Sequence, residues 1–334
     1  MRIGIIGGGS FGTALAKLLA EFDHRVTLWF RDPAMARAVA ASRENQVYLP
    51  GFQLPATVVL THDLQQTVSA QELLVAVTPS HAMREVMTQA RHYITGRPYV
   101  VSASKGIEEG SLQRMSQVLG EVLGPEFAGH IAALSGPSFA REVAAGMPTA
   151  VTAAAVNRDT AEVVQDAFRG PTFRVYSSTD VIGVELGGTV KNVIAIAAGV
   201  SDGLGLGNSS RAALITRGVA EIARLVAKTG GDPQTVSGLS GVGDMVLTCT
   251  GDLSRNRSVG VRIGRGERLQ DILESMKMVA EGVRNSLSVD ALARRLGVEM
   301  PIKEQIRLML HEDKPARQVV GDLMSRQAKP EFWT

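Results

Sequence analysis

The first twelve residues constrain the fold more than any others. Ile3, Ile5 and Ile6 form a short apolar run that ends at Gly7, and Gly7-x-Gly9-x-x-Gly12 then opens a stretch of helical periodicity. Strand, glycine turn and helix in this order predict the βαβ unit that holds a dinucleotide. Gly7 permits the tight turn, Gly9 lets the backbone approach a pyrophosphate, and Gly12 lets the helix pack closely on the strand. The helix N-terminus offers unpaired N–H groups to the anion.

The rest of the first half repeats the theme. Strands expected at 2–6, 25–29, 57–61, 72–77, 98–102, 131–134, 149–156 and 173–177 alternate with helices at 11–22, 33–42, 80–93, 110–122, 139–145 and 159–168. Such alternation implies a parallel, doubly wound (Rossmann-like) α/β sheet, extended by the strands beyond 130. After Ser178 strand-like runs vanish. Helical patterns at 179–200, 209–229, 232–237, 257–262, 269–275, 285–296, 302–309 and 315–324 describe an all-α C-terminal domain. The expected domains are therefore 1–178, dinucleotide-binding, and 179–334, helical and carrying substrate and catalysis. With 334 residues, 45% of them hydrophobic and 20% charged, both can bury a core.

Composition also excludes. A net charge of +2 makes no case for nucleic acid, though it suits a small anionic substrate. Cys249 is the only cysteine, so an internal disulfide is impossible and a reducing, cytoplasmic setting is expected. The chain enters a strand at once, leaving no room for a signal peptide. No apolar stretch approaches the ~20 residues of a membrane helix, so no membrane insertion is expected. The six histidines show no metal-binding spacing, and no metal is expected. The helical half can bury its apolar face internally or against a second copy, which suits a monomer or a homodimer.

Several segments carry chemistry. Arg31, just past the second strand, suits a 2′-phosphate and favours NADP(H), while Asp32-Pro33 reads as a helix cap followed by proline at the first helical position. Val77-Thr78-Pro79-Ser80-His81 and Ser102-Ala103-Ser104-Lys105-Gly106 lie at strand ends, where Lys105 could reach a phosphate. Ser135-Gly136-Pro137-Ser138 repeats that architecture, although a plain turn and cap is an equal reading.

The segment Glu185-Leu186-Gly187-Gly188-Thr189-Val190-Lys191-Asn192 interrupts an apolar helix with two glycines and a lysine. Each glycine costs about 1 kcal/mol there, which makes sense if the backbone passes close to a ligand. A lysine in such a partly desolvated place is suited to proton exchange. Two glycine- or serine-rich stretches read as loops able to close over a substrate: Leu239–Asp244 and Leu253–Ser258. Asp244 could orient a lysine or cap a helix. Ser254, Arg255 and Asn256 could clamp a phosphate, or Ser254 could cap a helix whose arginines face water. Glu281 beside Gly282 could hydrogen-bond a ribose or amide.

Together GGGSFGTALA, SASKGIE, LSGPSFAREVAAGMPTA, GVELGGTVKNVIAIAAG, GVGDMVLTCT, SRNRSVG, EGVRN and GVEMPI resemble the bacterial NAD(P)-dependent glycerol-3-phosphate dehydrogenases. The resemblance implies interconversion of dihydroxyacetone phosphate and sn-glycerol 3-phosphate, a phospholipid precursor, with NADP(H) or NAD(H). It also implies a small phosphorylated substrate and Lys191 as the proton-transferring group. By the same resemblance, Lys105, Gly136, Ser138, Lys191, Asp244, Ser254, Arg255 and Asn256 correspond to substrate positions. Gly7, Gly9, Ser10, Phe11, Gly12, Arg31, Lys105, Ala140, Arg255, Val279 and Glu281 correspond to cofactor positions. A β-hydroxyacid dehydrogenase would need asparagine four residues past Lys191, where Ala195 stands. A cofactor-sensing protein without catalysis would have no use for Lys191, Asp244 and a phosphate clamp.

Overall fold

Eight short apolar strands organise the first part of the chain in the computed structural model, which describes residues 1–276 and 279–331. They are β1 (Arg2–Ile6), β2 (Arg25–Trp29), β3 (Val59–Thr61), β4 (Leu73–Ala76), β5 (Tyr99–Ser102), β6 (Ile131–Ser135), β7 (Thr149–Ala155) and β8 (Phe173–Ser178). Their order in one sheet is β3-β2-β1-β4-β5-β6-β7-β8. The order reverses direction between β1 and β4, and ligands of open α/β sheets bind outside such a switch point. Helices α1 (Ser10–Glu21), α2 (Pro33–Ser42), α3 (Leu64–Val68), α4 (Met83–Arg91), α5 (Met115–Leu123), α6 (Ala140–Ala144) and α7 (Arg158–Phe168) connect the strands.

Alternation along β1 explains the two-sided burial. Ile3 and Ile5 join one core cluster with Leu15 and Leu19 of α1, while Ile6 joins another with Met83, Met87 and Leu119.

All eight strands fall where the sequence placed them, to within two residues. The expected parallel arrangement holds through β6. β7 then pairs antiparallel to β6, and β8 runs parallel to β7. The cause is the short connection after β6: its helix α6 has five residues and packs on α1. It does not run back along the sheet, so β7 re-enters at the edge where β6 left.

The helices depart further from expectation, with the one expected from 285 beginning at Glu281, four residues earlier. The helix expected from 110 starts at Met115, because Gly110 (φ +84°) and Leu112 (φ +58°) adopt left-handed backbone. The short α3, capped by the Asp63 side chain on Gln66 N–H, was not foreseen.

The chain divides into two compact units, Met1–Glu108 with Gln113–Glu185, and Glu109–Leu112 with Leu186–Thr334. The second is helical among its described residues: α8 (Val181–Gly203, beginning in the first unit), α9 (Gly207–Lys228), α10 (Asp244–Thr250), α11 (Arg255–Gly264), α12 (Leu269–Ser275), α13 (Glu281–Leu296), α14 (Pro301–His311) and α15 (Ala316–Met324). α8 is long and apolar enough to cross a membrane, contrary to the expectation that no stretch reaches that length. It is a core helix, with 94% of its most apolar window buried.

Polar groups also order this unit. Glu221 of α9, fully buried, accepts from Ile302 N–H (2.7 Å) and Lys303 N–H (3.3 Å), the uncapped first turn of α14. Burial pushes its carboxyl up to about 7, against the pull of those two N–H groups. The folded chain therefore keeps this proton to higher pH than the unfolded chain, and its contribution falls as pH rises from about 4.5 to 7. Relative to Glu221→Gln, denaturant unfolding of the wild type should lose stability across that window, by about 1.4 kcal/mol per unit at most. A parallel pH profile in the two proteins contradicts the assignment.

Candidate active site

The glycine turn is built as its spacing demands. Gly7 has φ +129°, and a Cβ there would lie 2.7 Å from the Val77 carbonyl oxygen. A Cβ on Gly12 would sit 1.9 Å from the Gly7 carbonyl oxygen, so only glycine lets α1 start so close to the turn. Gly9 is the opposite case: its Cβ direction meets nothing within 4 Å. Gly9 is also the N-cap of α1 and makes no side-chain cap, which leaves the first-turn N–H groups for an anion. Open space and uncapped donors together fit a pyrophosphate.

Ser10 and Phe11 form the first turn, and Ser10 Oγ donates to the Tyr48 carbonyl (2.6 Å). Arg31 is exposed, with no hydrogen bond to another described residue. Asp32 caps α2 through Ala34 N–H (2.8 Å), the helix-capping reading of Asp32-Pro33.

At the ends of β5 and β6, two candidate side chains converge on one carbonyl. Lys105 Nζ donates to Gly136 O (3.3 Å), and Ser138 Oγ donates to the same oxygen (3.0 Å). Ala140 opens α6 immediately beyond.

The second unit holds a buried ion pair. Lys191 Nζ of α8 lies 2.9 Å from Asp244 Oδ1, with side-chain exposures of 7% and 2%. It also donates to Thr248 Oγ1 (2.6 Å), whose hydroxyl donates to the Asp244 carbonyl (2.6 Å). Asp244 and Thr248 are four residues apart on one face of α10, so both reach the same ammonium. Thr248 was missed in the sequence, where a threonine in an apolar run carries no signal by itself. The 239–244 stretch is not a loop. Leu239–Gly243 forms a π-type turn that passes directly into α10, placing Asp244 in its first turn. The glycine before Lys191 also has a different cause from the expected ligand. A Cβ on Gly187 would lie 2.7 Å from Ser240 O, so it admits the turn that delivers Asp244.

The Ser254–Asn256 stretch likewise starts a helix. Ser254 caps α11, its Oγ accepting from Arg257 N–H (3.2 Å). Asn256 Nδ2 donates to Asn192 Oδ1 (2.9 Å), and its Oδ1 accepts from Gly282 N–H (2.9 Å), joining α8, α11 and the start of α13. Arg255 is exposed and donates to the Val279 carbonyl (3.0 Å), two residues before Glu281 opens α13. Arg257, the other arginine of the stretch, binds Asp202 (2.8 Å) and Asp252 (2.9 Å) instead. Asp202 also holds Arg211 (2.9 Å).

Helices α8 and α11 meet backbone to backbone. A Cβ on Gly199 would lie 2.1 Å from Arg257 O, and one on Gly260 2.1 Å from Ile196 O. Gly203 and Gly264 repeat the contact one turn further on, at 2.4 and 2.6 Å.

A glycine turn of this kind on such a sheet, together with a buried lysine–aspartate pair in a helical unit, is the combination expected of a nicotinamide-dependent oxidoreductase. The family models NAD-dependent glycerol-3-phosphate dehydrogenase N-terminus and C-terminus match residues 2–161 and 180–321. A glycerol-3-phosphate dehydrogenase of NAD(P)+ type from Geobacter sulfurreducens is 53% identical over 332 residues, 99% of each chain. The enzyme of that name from Myxococcus xanthus is 51% identical, again over 99% of each. The crystal structure of glycerol-3-phosphate dehydrogenase from Coxiella burnetii superposes with a TM-score of 0.93 at 40% identity, covering 97% of this chain and 99% of that one. The chain belongs to the NAD-dependent glycerol-3-phosphate dehydrogenase family, NAD(P)-dependent enzymes that interconvert dihydroxyacetone phosphate and glycerol 3-phosphate.

The α8–α11 contact makes an unusual substitution test. Alanine in a helix interior normally gains about 1 kcal/mol over glycine. Gly260→Ala should instead destabilise by about 1–3 kcal/mol through overpacking, whereas Gly321→Ala in α15, where a Cβ meets nothing within 4 Å, should not. Denaturant unfolding reads both, and equal effects contradict the contact.

Proposed function

We propose that Lys191 gives the carbonyl oxygen of dihydroxyacetone phosphate its proton as the substrate is reduced to sn-glycerol 3-phosphate. The observation that carries this reading is the buried Lys191–Asp244–Thr248 cluster. An ammonium fixed by a carboxylate and a hydroxyl is a preorganised donor for developing alkoxide charge, and the same group accepts the proton in the reverse direction. With its pyrophosphate at the glycine turn, a reduced nicotinamide dinucleotide would supply the hydride that completes the two-electron reduction.

Gly9, Ser10 and Phe11 hold the pyrophosphate in this reading, on the turn that Gly7 and Gly12 make possible, and the exposed Arg31 fork favours the 2′-phosphate of NADPH. Val279, Glu281 and Ala140 flank the cofactor. Arg255 supplies a planar guanidinium to the substrate phosphate. Asn256 adds the one amide hydrogen its two bonds leave over. Lys105, Gly136, Ser138 and the Ser254 hydroxyl complete the substrate contacts. Binding the phosphate away from the reacting carbon orients the carbonyl. The product serves phospholipid synthesis in this reading, and a single cysteine, the buried Cys249, fits a reducing, cytoplasmic setting.

Lys191→Ala should lower kcat by at least about a hundredfold. It leaves Asp244 buried without its lysine, so Lys191→Met combined with Asp244→Asn serves as the folded control and should be equally impaired. Near-normal turnover of either folded variant contradicts the assignment.

A further inference from the structure

The segment between α2 and β3, residues 43–58, has no part in the reading above, yet it is tied tightly to the glycine turn. Among the described residues its only β-bridge is Glu44 with Gln53. Asn45 is its anchor, with 0% exposure. The Asn45 Nδ2 group donates to Gly8 O (3.0 Å) and Thr13 Oγ1 (2.9 Å), and its Oδ1 accepts from Tyr48 N–H (3.1 Å). The amide orientation follows from these partners: a carbonyl and a backbone N–H admit only one assignment. Further along, Tyr48 O accepts from Ser10 Oγ, and Pro50 O accepts from Arg141 Nη1 (3.2 Å). The Arg141 guanidinium lies 5.3 Å over the Phe52 ring.

These bonds answer a problem the turn poses. Gly7, Gly8 and Gly9 are consecutive, and glycine loses more conformational freedom on ordering than any other residue. The ladder between β1 and β4 ends at Ile6, and α1 begins at Ser10, so neither holds the Gly8 peptide. Two contacts from elsewhere do: the Phe30 ring, which a Cβ on Gly8 would meet at 2.2 Å, and the Asn45 carboxamide on the Gly8 oxygen. The second bond, to Thr13, ties the same carboxamide to the second turn of α1.

We propose that Asn45 is a positioning residue for the dinucleotide. It acts through the Gly8 carbonyl and Thr13, holding the turn and the first turn of α1 in anion-binding form before the ligand arrives. Ordering is then complete in the ligand-free fold, and binding does not bear it. Asn45 touches no reacting atom, so its effect falls on cofactor affinity and not on the chemical step. The inference rests on the dinucleotide reading of the turn.

The test is the dissociation constant for NADPH, titrated by intrinsic fluorescence, alongside steady-state constants. Asn45→Ala should raise the NADPH Kd and KM at least about tenfold, with kcat at saturating NADPH and the KM for dihydroxyacetone phosphate within about twofold of wild type. Thr13→Val, which removes one of the two donor bonds, should raise the Kd by less than about threefold. Asn45→Asp keeps the side-chain volume and the Tyr48 N–H bond but loses both donors. It carries the test if the alanine variant does not fold, and should weaken NADPH at least as much. Wild-type Kd in a folded Asn45 variant, or loss confined to kcat, overturns the proposal. Failure of the wild-type chain itself to bind NADPH overturns the dinucleotide reading instead.

Discussion

An ammonium and a carboxylate 2.9 Å apart, both nearly out of water, set the terms for the helical unit. Removing each charge from solvent costs several kcal/mol, and their attraction repays it only when geometry and further hydrogen bonds are good. Lys191 and Asp244 meet those conditions through Thr248, which lies one turn beyond Asp244 and satisfies both the ammonium and the Asp244 carbonyl. The pair also dictates backbone placement. The Leu239–Gly243 turn must come close enough to α8 for Asp244 to reach Lys191, and Gly187 makes that approach possible by having no side chain. A pair so costly to bury is weak evidence for stability. It is much better explained by a demand for a fixed charge at one point.

From that point the fixing extends outward along hydrogen bonds and shape. Asn192, the next residue after Lys191, holds Asn256, and Asn256 holds the first turn of α13. The four glycines of the α8–α11 contact remove the side chains that would otherwise separate the two helices, while Asp202 clamps Arg257 and Arg211 at the far end. The first unit solves the corresponding problem with Asn45 and the glycine turn. In both units the buried side chains named here, Asn45 in one and Lys191, Asp244 and Asn256 in the other, are met by hydrogen-bond partners, the condition under which such networks rigidify a site.

Much of this was legible in the sequence because it is local. Short apolar runs alternating with helical patterns placed all eight strands, and the Gly7–Gly12 spacing located the turn to the residue. Lys191 stood out because it broke an apolar run, and Asp244 because it left a glycine-rich one. What escaped depends on contacts between residues far apart in the chain. The direction of β7 follows from where the five-residue α6 packs, not from any strand pattern. The stretch at 239–244 reads as a loop because its glycines serve backbone contacts with Val236 and α8, which no local rule shows. Thr248 and Asn45 are ordinary polar residues until the fold places them beside Lys191 and Gly8. The Gly187 reading erred in the same way: close approach was right, but the partner is the chain's own Ser240 carbonyl.

The central claim is that a fixed lysine donor and a separate phosphate grip together reduce a phosphorylated ketone. The most direct measurement compares NADPH oxidation with dihydroxyacetone phosphate and with dihydroxyacetone, which presents the same carbonyl without the phosphate. The account predicts kcat/KM at least about a thousandfold higher for the phosphate ester, since remote binding energy orients the reacting carbon. Comparable rates for the two substrates, or tight NADPH binding with no turnover of either, would contradict it.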